Sequence, residues 1–166
     1  MFNFEHYLEK QKHIKLTPNQ ALLKAANYCA YQERCHKEVI EKLSEWGIWG
    51  IDAQEILLQL IEQNYLNEER FAIAFAGGKF RVKHWGRVKI KLELKQKDIS
   101  DYCINKALNE ISDDDYIQTL NDQIDKKWAE TKDKNLMSKR AKVARYVIGK
   151  GFEQDLVWNI LRSKND

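Results

Sequence analysis

Between Lys79 and Lys97 the chain carries Lys79, Arg81, Lys83, Arg87, Lys89, Lys91, Lys95 and Lys97 against Glu93 alone. Cationic side chains at this density suit an anionic partner, either the phosphates of a nucleic acid or the acidic face of a protein. The ordinary alternative is a solvated helix face. A second basic group, Lys139, Arg140, Lys142 and Arg145, lies further on. Polar surface near a chain end also serves solubility, so that group is the weaker candidate. Between the two runs stand Asp113, Asp114 and Asp115. They resemble a metal-binding run, but they follow Ser112 and suit the positive N-terminal end of a helix.

Other chemistries find less support. Gly77-Gly78-Lys79 lacks the upstream glycine and the following Ser or Thr of a phosphate-binding loop. Cys29, Cys35 and His36 lie close together, but no CxxC pair or second His/Cys cluster joins them. His6, His13, His36 and His84 form no catalytic spacing. Three cysteines in all, widely spaced, fit reduced thiols better than a disulfide framework. The expectation is no enzyme activity, no metal and no cofactor. Trp46, Trp49 and Trp158 fall near turns and read as core residues; Trp85 beside Gly86 is the best candidate for an exposed ring that could stack a base, although buried aromatics are the commoner case.

The elements that must position these residues read as helices. One proline in 166 residues, with seven glycines, leaves too few turn formers for a sandwich or barrel. Thr17-Pro18-Asn19-Gln20 is a helix start, with Thr17 as cap and Gln20 completing a capping box. Further helices are expected from about Cys35 to Trp46, from Asp52 as cap, from Asn67 as cap, from Ser100, from Ser112, from Ser138 to Ile148, and from Phe152 to Leu161. Gly77 and Gly78 are expected to weaken or kink the helix after Asn67. No apolar run approaches the roughly 18 residues of a membrane span. The N-terminal stretch mixes charge with apolar residues, unlike an export signal, so a cytosolic location with no membrane contact is expected.

Arg87 to Lys95, RVKIKLELK, alternates apolar and charged residues strictly, which is the pattern of a half-buried strand. An internal repeat argues otherwise. Aligning Gly47, Asp98 and Gly151 places Leu43, Leu94 and Val147 four positions earlier and Val39, Ile90 and Val143 eight positions earlier. Ile48, Ile99 and Phe152 follow directly. The spacing of 51 and 53 residues is that of a small helical repeat. The first and third copies read as helices, so the middle copy is expected to be one too. Ile90 and Leu94 then face the core, Val88 and Leu92 flank them as a second anchoring row, and Arg87, Lys91 and Lys95 form one outward basic ridge.

Two stretches resemble the RecX family of recombination regulators. The first is Asn64, Tyr65, Leu66, Asn67, Glu68, Glu69, Arg70, Phe71 and Ala72; the second is Gly86, Arg87, Ile90, Leu94, Lys97 and Ile99. Arg34, Glu38 and Leu43 match a further family segment upstream. The likeness runs from about Ala21 to Leu161. The chain departs from the family pattern at Cys35, where Ser is common, at Asn67, where an acid is common, and at Asp98, where Gly is usual. The resemblance implies an all-α protein of three tandem three-helix repeats in an elongated, curved array. The expected boundaries are 1–16 for a lead-in, then 17–66, 67–111 and 112–166 for the repeats. It implies a monomer that binds the RecA protein and the RecA–DNA filament, with weak direct DNA contact, and restrains strand exchange and ATP hydrolysis. A stand-alone helical DNA-binding protein is the competing reading.

Overall fold

The structure is a computed structural model that describes residues 16–164. Apart from Leu16, the expected lead-in lies outside the described residues. The described chain holds nine α-helices: α1 (Pro18–Tyr31), α2 (His36–Glu45), α3 (Gly50–Glu62), α4 (Glu68–Lys83), α5 (Arg87–Gln96), α6 (Asp101–Asn109), α7 (Asp113–Glu130), α8 (Leu136–Gly149) and α9 (Gln154–Ser163). It divides into two compact units, one up to Glu68 and one from Glu69 onward.

The helix starts follow from local chemistry. The Thr17 hydroxyl accepts a hydrogen bond from the Gln20 backbone N–H, and Gln20 Oε1 accepts one from the Thr17 N–H, which together satisfy two orphan donors. Ser100 and Ser112 cap α6 and α7 by accepting from the backbone N–H of Cys103 and Asp115. Asp113, Asp114 and Asp115 occupy the first turn of α7, where the helix dipole favours negative charge. Asn135 caps α8, which begins at Leu136, two residues before the expected Ser138. Asp52 is no cap. α3 already begins at Gly50, with Trp49 in the cap position, so Asp52 sits in the first turn instead. Gly77 and Gly78 do not interrupt α4, which runs unbroken to Lys83.

The first unit packs α1, α2 and α3 around one core containing Ala21, Ala25, Cys29, Val39, Leu43, Ile56 and Leu60. Cys29, Cys35 and Cys103 are buried and form no disulfide. Trp49 departs from its expected core role. It is 62% exposed, with its indole N–H donating to Ser44 Oγ at 2.7 Å.

The repeat is visible in the backbone. Gly47, Asp98 and Gly151 have φ of 81°, 60° and 94°, the left-handed region. Ile48 N–H donates to Leu43 C=O at 3.0 Å, and Ile99 N–H donates to Leu94 C=O at 3.2 Å. Gly47 and Asp98 add the shorter inner bonds to Ser44 and Lys95, so both turns are Schellman caps. Gly151 makes the matching inner bond to Ile148 C=O at 2.8 Å. Asp98 therefore holds a conformation that glycine adopts freely and most L-residues resist. The apolar residues of the alignment are all buried: Val39, Ile90 and Val143, then Leu43, Leu94 and Val147, then Ile48, Ile99 and Phe152.

RVKIKLELK is accordingly helix α5, and the strand reading is excluded. Its two apolar rows have different fates. Ile90 and Leu94 are fully buried, but Val88 and Leu92 are 53% and 56% exposed. A helix turns about 100° per residue, so positions i and i+2 face nearly opposite sides. The second row thus points away from the core and does not anchor the helix.

Within the second unit, α5 meets the α8–α9 turn through the backbone. Gly86 N–H donates to Lys150 C=O at 2.9 Å, and Val88 N–H donates to Gly151 C=O at 3.0 Å. A Cβ on Gly86 would lie 2.1 Å from the Gly151 carbonyl oxygen, and one on Gly151 would lie 2.2 Å from Lys89 Cβ. Gly86 is thus more than a helix break: it lets two backbones touch.

Candidate functional site

α4 and α5 carry the first basic run, and their packing divides it. Arg87 leaves the expected ridge. Its guanidinium Nη2 donates to the Ile111 carbonyl at 2.8 Å and to Asp113 Oδ1 at 2.6 Å. The guanidinium carbon lies 4.3 Å from the centre of the Tyr116 ring. The Arg87 backbone N–H donates to the Tyr116 hydroxyl at 3.0 Å, and that hydroxyl donates to Glu153 Oε2 at 2.5 Å. Tyr116 also stacks against Phe80 and Phe152, with centroids 5.8 and 5.2 Å away. Burial, then the bond to the Glu153 carboxylate, pushes the Tyr116 phenol well above the usual tyrosine range, so it stays a donor. Arg87 is a fastener within the second unit, and the outward ridge reduces to Lys91 and Lys95.

Lys91 and Lys95 share their face of α5 with the exposed Val88 and Leu92. Lys95 pairs with Asp101 at 3.3 Å. Beside them a groove of about 750 Å³ is lined by Arg87, Val88 and Lys91, by Asn105 and Leu108 of α6, and by Asp113. This side of α5 mixes apolar, basic, amide and acidic groups.

The opposite flank differs. Lys89 Nζ lies 4.3 Å from the centre of the Trp85 ring, and Lys79 Nζ lies 4.9 Å from the same ring. Lys79 also sits 5.1 Å from the Phe75 ring, and Lys97 bridges Phe75 and Phe71 at 5.7 and 5.9 Å. Cations over aromatic faces are held by the ring quadrupole. Trp85, the best candidate for an exposed ring, is half-buried beneath these lysines. Lys83 lies exposed one turn beyond Lys79. Arg81 folds back along α4, where a Cβ at Gly77 would come 2.8 Å from its Nη1. Among the described residues, no ion pair involves Lys79, Lys83, Lys89 or Lys91.

The second basic group is largely occupied within the fold. Arg140 Nη2 donates to the carbonyls of Lys164 and Arg162 at 2.7 and 3.2 Å, at the C-terminal end of α9 where cations are favoured. Lys142 pairs with Asp133 at 2.8 Å. Lys142, then Ser138 and the Asn135 backbone, hold the Asp133 carboxyl well below the usual carboxylate range. Lys139 sits 4.5 Å from the Trp128 ring. Lys142 and Arg145 are exposed, while Lys139 and Arg140 are half-buried.

Sequence reading therefore found the basic residues but missed Tyr116 and Glu153, which take Arg87 out of the surface. It also missed Phe75. A signal for Phe75 was available: Phe71, Phe75, Lys79 and Lys83 recur at every fourth residue of α4, which puts rings and ammonium groups on neighbouring turns.

An all-α chain in which matching left-handed residues follow α2, α5 and α8 and precede a further helix belongs to the class of tandem three-helix proteins. Residues 67–108 match the second three-helix domain of RecX, and residues 113–161 match the third. Together these matches span more than half of the chain, which belongs to the RecX family. A regulatory protein RecX of Lactobacillus johnsonii is 35% identical over 100 residues, covering 60% of this chain and 37% of that protein. The Bacillus thuringiensis counterpart is 24% identical over 147 residues, covering 89% of this chain and 54% of its own length. The chain thus spans about half the length, or less, of these relatives. The crystal structure of RecX from Lactobacillus salivarius superposes with a TM-score of 0.78 at 26% identity, covering 87% of this chain and 94% of that one. A second RecX crystal structure, at 20% identity and TM-score 0.76, covers 89% and 74% and shares the fold. Among the described residues, no helix is long and apolar enough to cross a membrane.

Proposed function

We propose that this chain is a non-enzymatic regulator that binds RecA or the RecA–DNA filament and restrains strand exchange and the coupled ATP hydrolysis. Membership of a family of regulatory proteins supports the reading. The observation that carries it to a surface is the α4–α5 pair of the second repeat, where Lys79, Lys83, Lys89 and Lys91 stand outside every ion pair among the described residues. A cationic surface of this kind suits an anionic filament. In this reading residues 17–66, 67–111 and 112–166 are the three repeats. The protein acts as a cytosolic monomer, and its partner is a macromolecular face.

The test compares binding of the chain to RecA, to naked single-stranded DNA and to RecA–DNA filaments, with RecA's DNA-dependent ATPase followed in parallel. The expected result is preferential filament binding and a reduced ATPase rate. Equal affinity for naked DNA and filament, with no change in ATPase, defeats the proposal.

A further inference from the structure

α5 gives the basic run two chemically different flanks. One carries Lys91 and Lys95 with the exposed Val88 and Leu92, beside a groove whose walls include Asp113 and Glu153. The other carries a continuous alternation of rings and ammonium groups: Phe75, Lys79, Trp85 and Lys89, extended by Lys97 and Phe71. We infer that this second flank, centred on Trp85, is a subsite for single-stranded DNA, with Lys79 and Lys89 meeting phosphates and the Trp85 ring meeting an unpaired base. The inference names a partner for part of the surface proposed above and rests on that reading.

Two observations favour a nucleic-acid strand over an acidic protein. First, Lys79 and Lys89 rest on the Trp85 ring, and neither takes part in an ion pair among the described residues. A ring quadrupole holds an ammonium group more weakly than a full negative charge does. An arriving phosphate therefore draws the lysines off the ring and exposes an aromatic face at the same spot. Second, what is exposed is a π-face next to fixed cations, the pairing that single-strand binders use: bases stack while the backbone is neutralised. A carboxylate would satisfy the lysines and leave the ring bare. A duplex keeps its base faces inside the stack and gains nothing from Trp85.

The experiment uses the full chain and a fluorescein-labelled oligothymidine, read by anisotropy across a salt series. The variants are Lys79→Gln/Lys89→Gln, Lys91→Gln/Lys95→Gln and Trp85→Leu, with Trp85→Phe as the ring-keeping control. The first pair is expected to weaken binding about tenfold or more. It should also flatten the log–log salt slope by about 1.4, since each neutralised single-strand phosphate contributes about 0.7. The second pair is expected to change affinity less than twofold. Trp85→Leu should weaken binding without changing the slope, and Trp85→Phe should retain most of it. Equal losses from the two lysine pairs overturn the inference. So does affinity for a duplex of the same length equal to that for the single strand, or equal binding of an acidic polyglutamate chain. If Trp85→Leu does not fold, the comparison of the two lysine pairs still decides. Filament binding and ATPase inhibition by the wild-type chain, without oligothymidine binding, would sink this subsite and leave the regulatory reading standing. Oligothymidine binding with no effect on RecA would do the reverse.

Discussion

Replacing Arg87 with Met keeps the aliphatic stem and removes the guanidinium. In the native fold Nη2 donates to the Ile111 carbonyl at 2.8 Å, and removal of a charged donor from such a carbonyl costs about 1.5 kcal/mol. The contact over the Tyr116 ring at 4.3 Å contributes about 0.5–1 kcal/mol. The pair with Asp113 adds no more than about 0.5 kcal/mol, because the Asp113 side chain is 87% exposed and water screens it. The expected loss is about 2–3 kcal/mol. At about 2–4 °C per kcal/mol for a chain of this size, the melting midpoint falls by roughly 4–12 °C. Lys91→Met, one turn along the same helix, removes a charge that is in no ion pair among the described residues. It should stay within about 0.5 kcal/mol of wild type. Urea and thermal unfolding followed by circular dichroism measure both. Indistinguishable midpoints for Arg87→Met and Lys91→Met would show that Arg87 fastens nothing, and would return it to the outward ridge.

Gly86→Ala puts a Cβ 2.1 Å from the Gly151 carbonyl oxygen and forces apart the backbone bonds to Lys150 and Gly151. A loss of about 3 kcal/mol or more is expected in urea unfolding. Leu94→Ala should cost about 2–5 kcal/mol because the side chain is fully buried, whereas Leu92→Ser should cost less than about 1 kcal/mol. Equal losses at the two positions would contradict the helical register of α5. Tyr116→Phe should lower stability by about 1–3 kcal/mol at neutral pH, through loss of the bonds to Arg87 N–H and Glu153. The native Tyr116 phenol titrates above its unfolded value, so the stability it supplies is complete below about pH 10 and declines as pH rises beyond that. The gap between Tyr116→Phe and wild type should therefore narrow above pH 10, and a gap that widens there would refute this assignment.

The middle repeat shows where sequence reading succeeded and where it fell short. Alternation in RVKIKLELK pointed to a strand, but the spacing from Gly47 to Asp98 to Gly151 pointed to a helix, and the helix formed. A period of two over nine residues is a local preference. A cap position whose flanking apolar residues recur in three copies reflects a packing arrangement that tertiary contacts enforce. The same reading erred over Val88 and Leu92. The core covers one face of this ten-residue helix, which Ile90 and Leu94 fill, and Val88 and Leu92 fall outside it.

The sequence by itself determined the helical class, the repeat, the serine and threonine caps, and the basic character of α4 and α5. These depend on residues close in the chain or at a fixed period, where propensity, capping and helical spacing act directly. Only the tertiary structure decided which basic residues remain available. Arg87 turns inward because Tyr116 and Ile111, 29 and 24 residues away, present a ring and a carbonyl to it. Lys79 and Lys89 meet over Trp85 because α4 and α5 bring three separated positions to one point. Charge can be counted along a chain, but whether a charge is already answered depends on neighbours that only folding supplies.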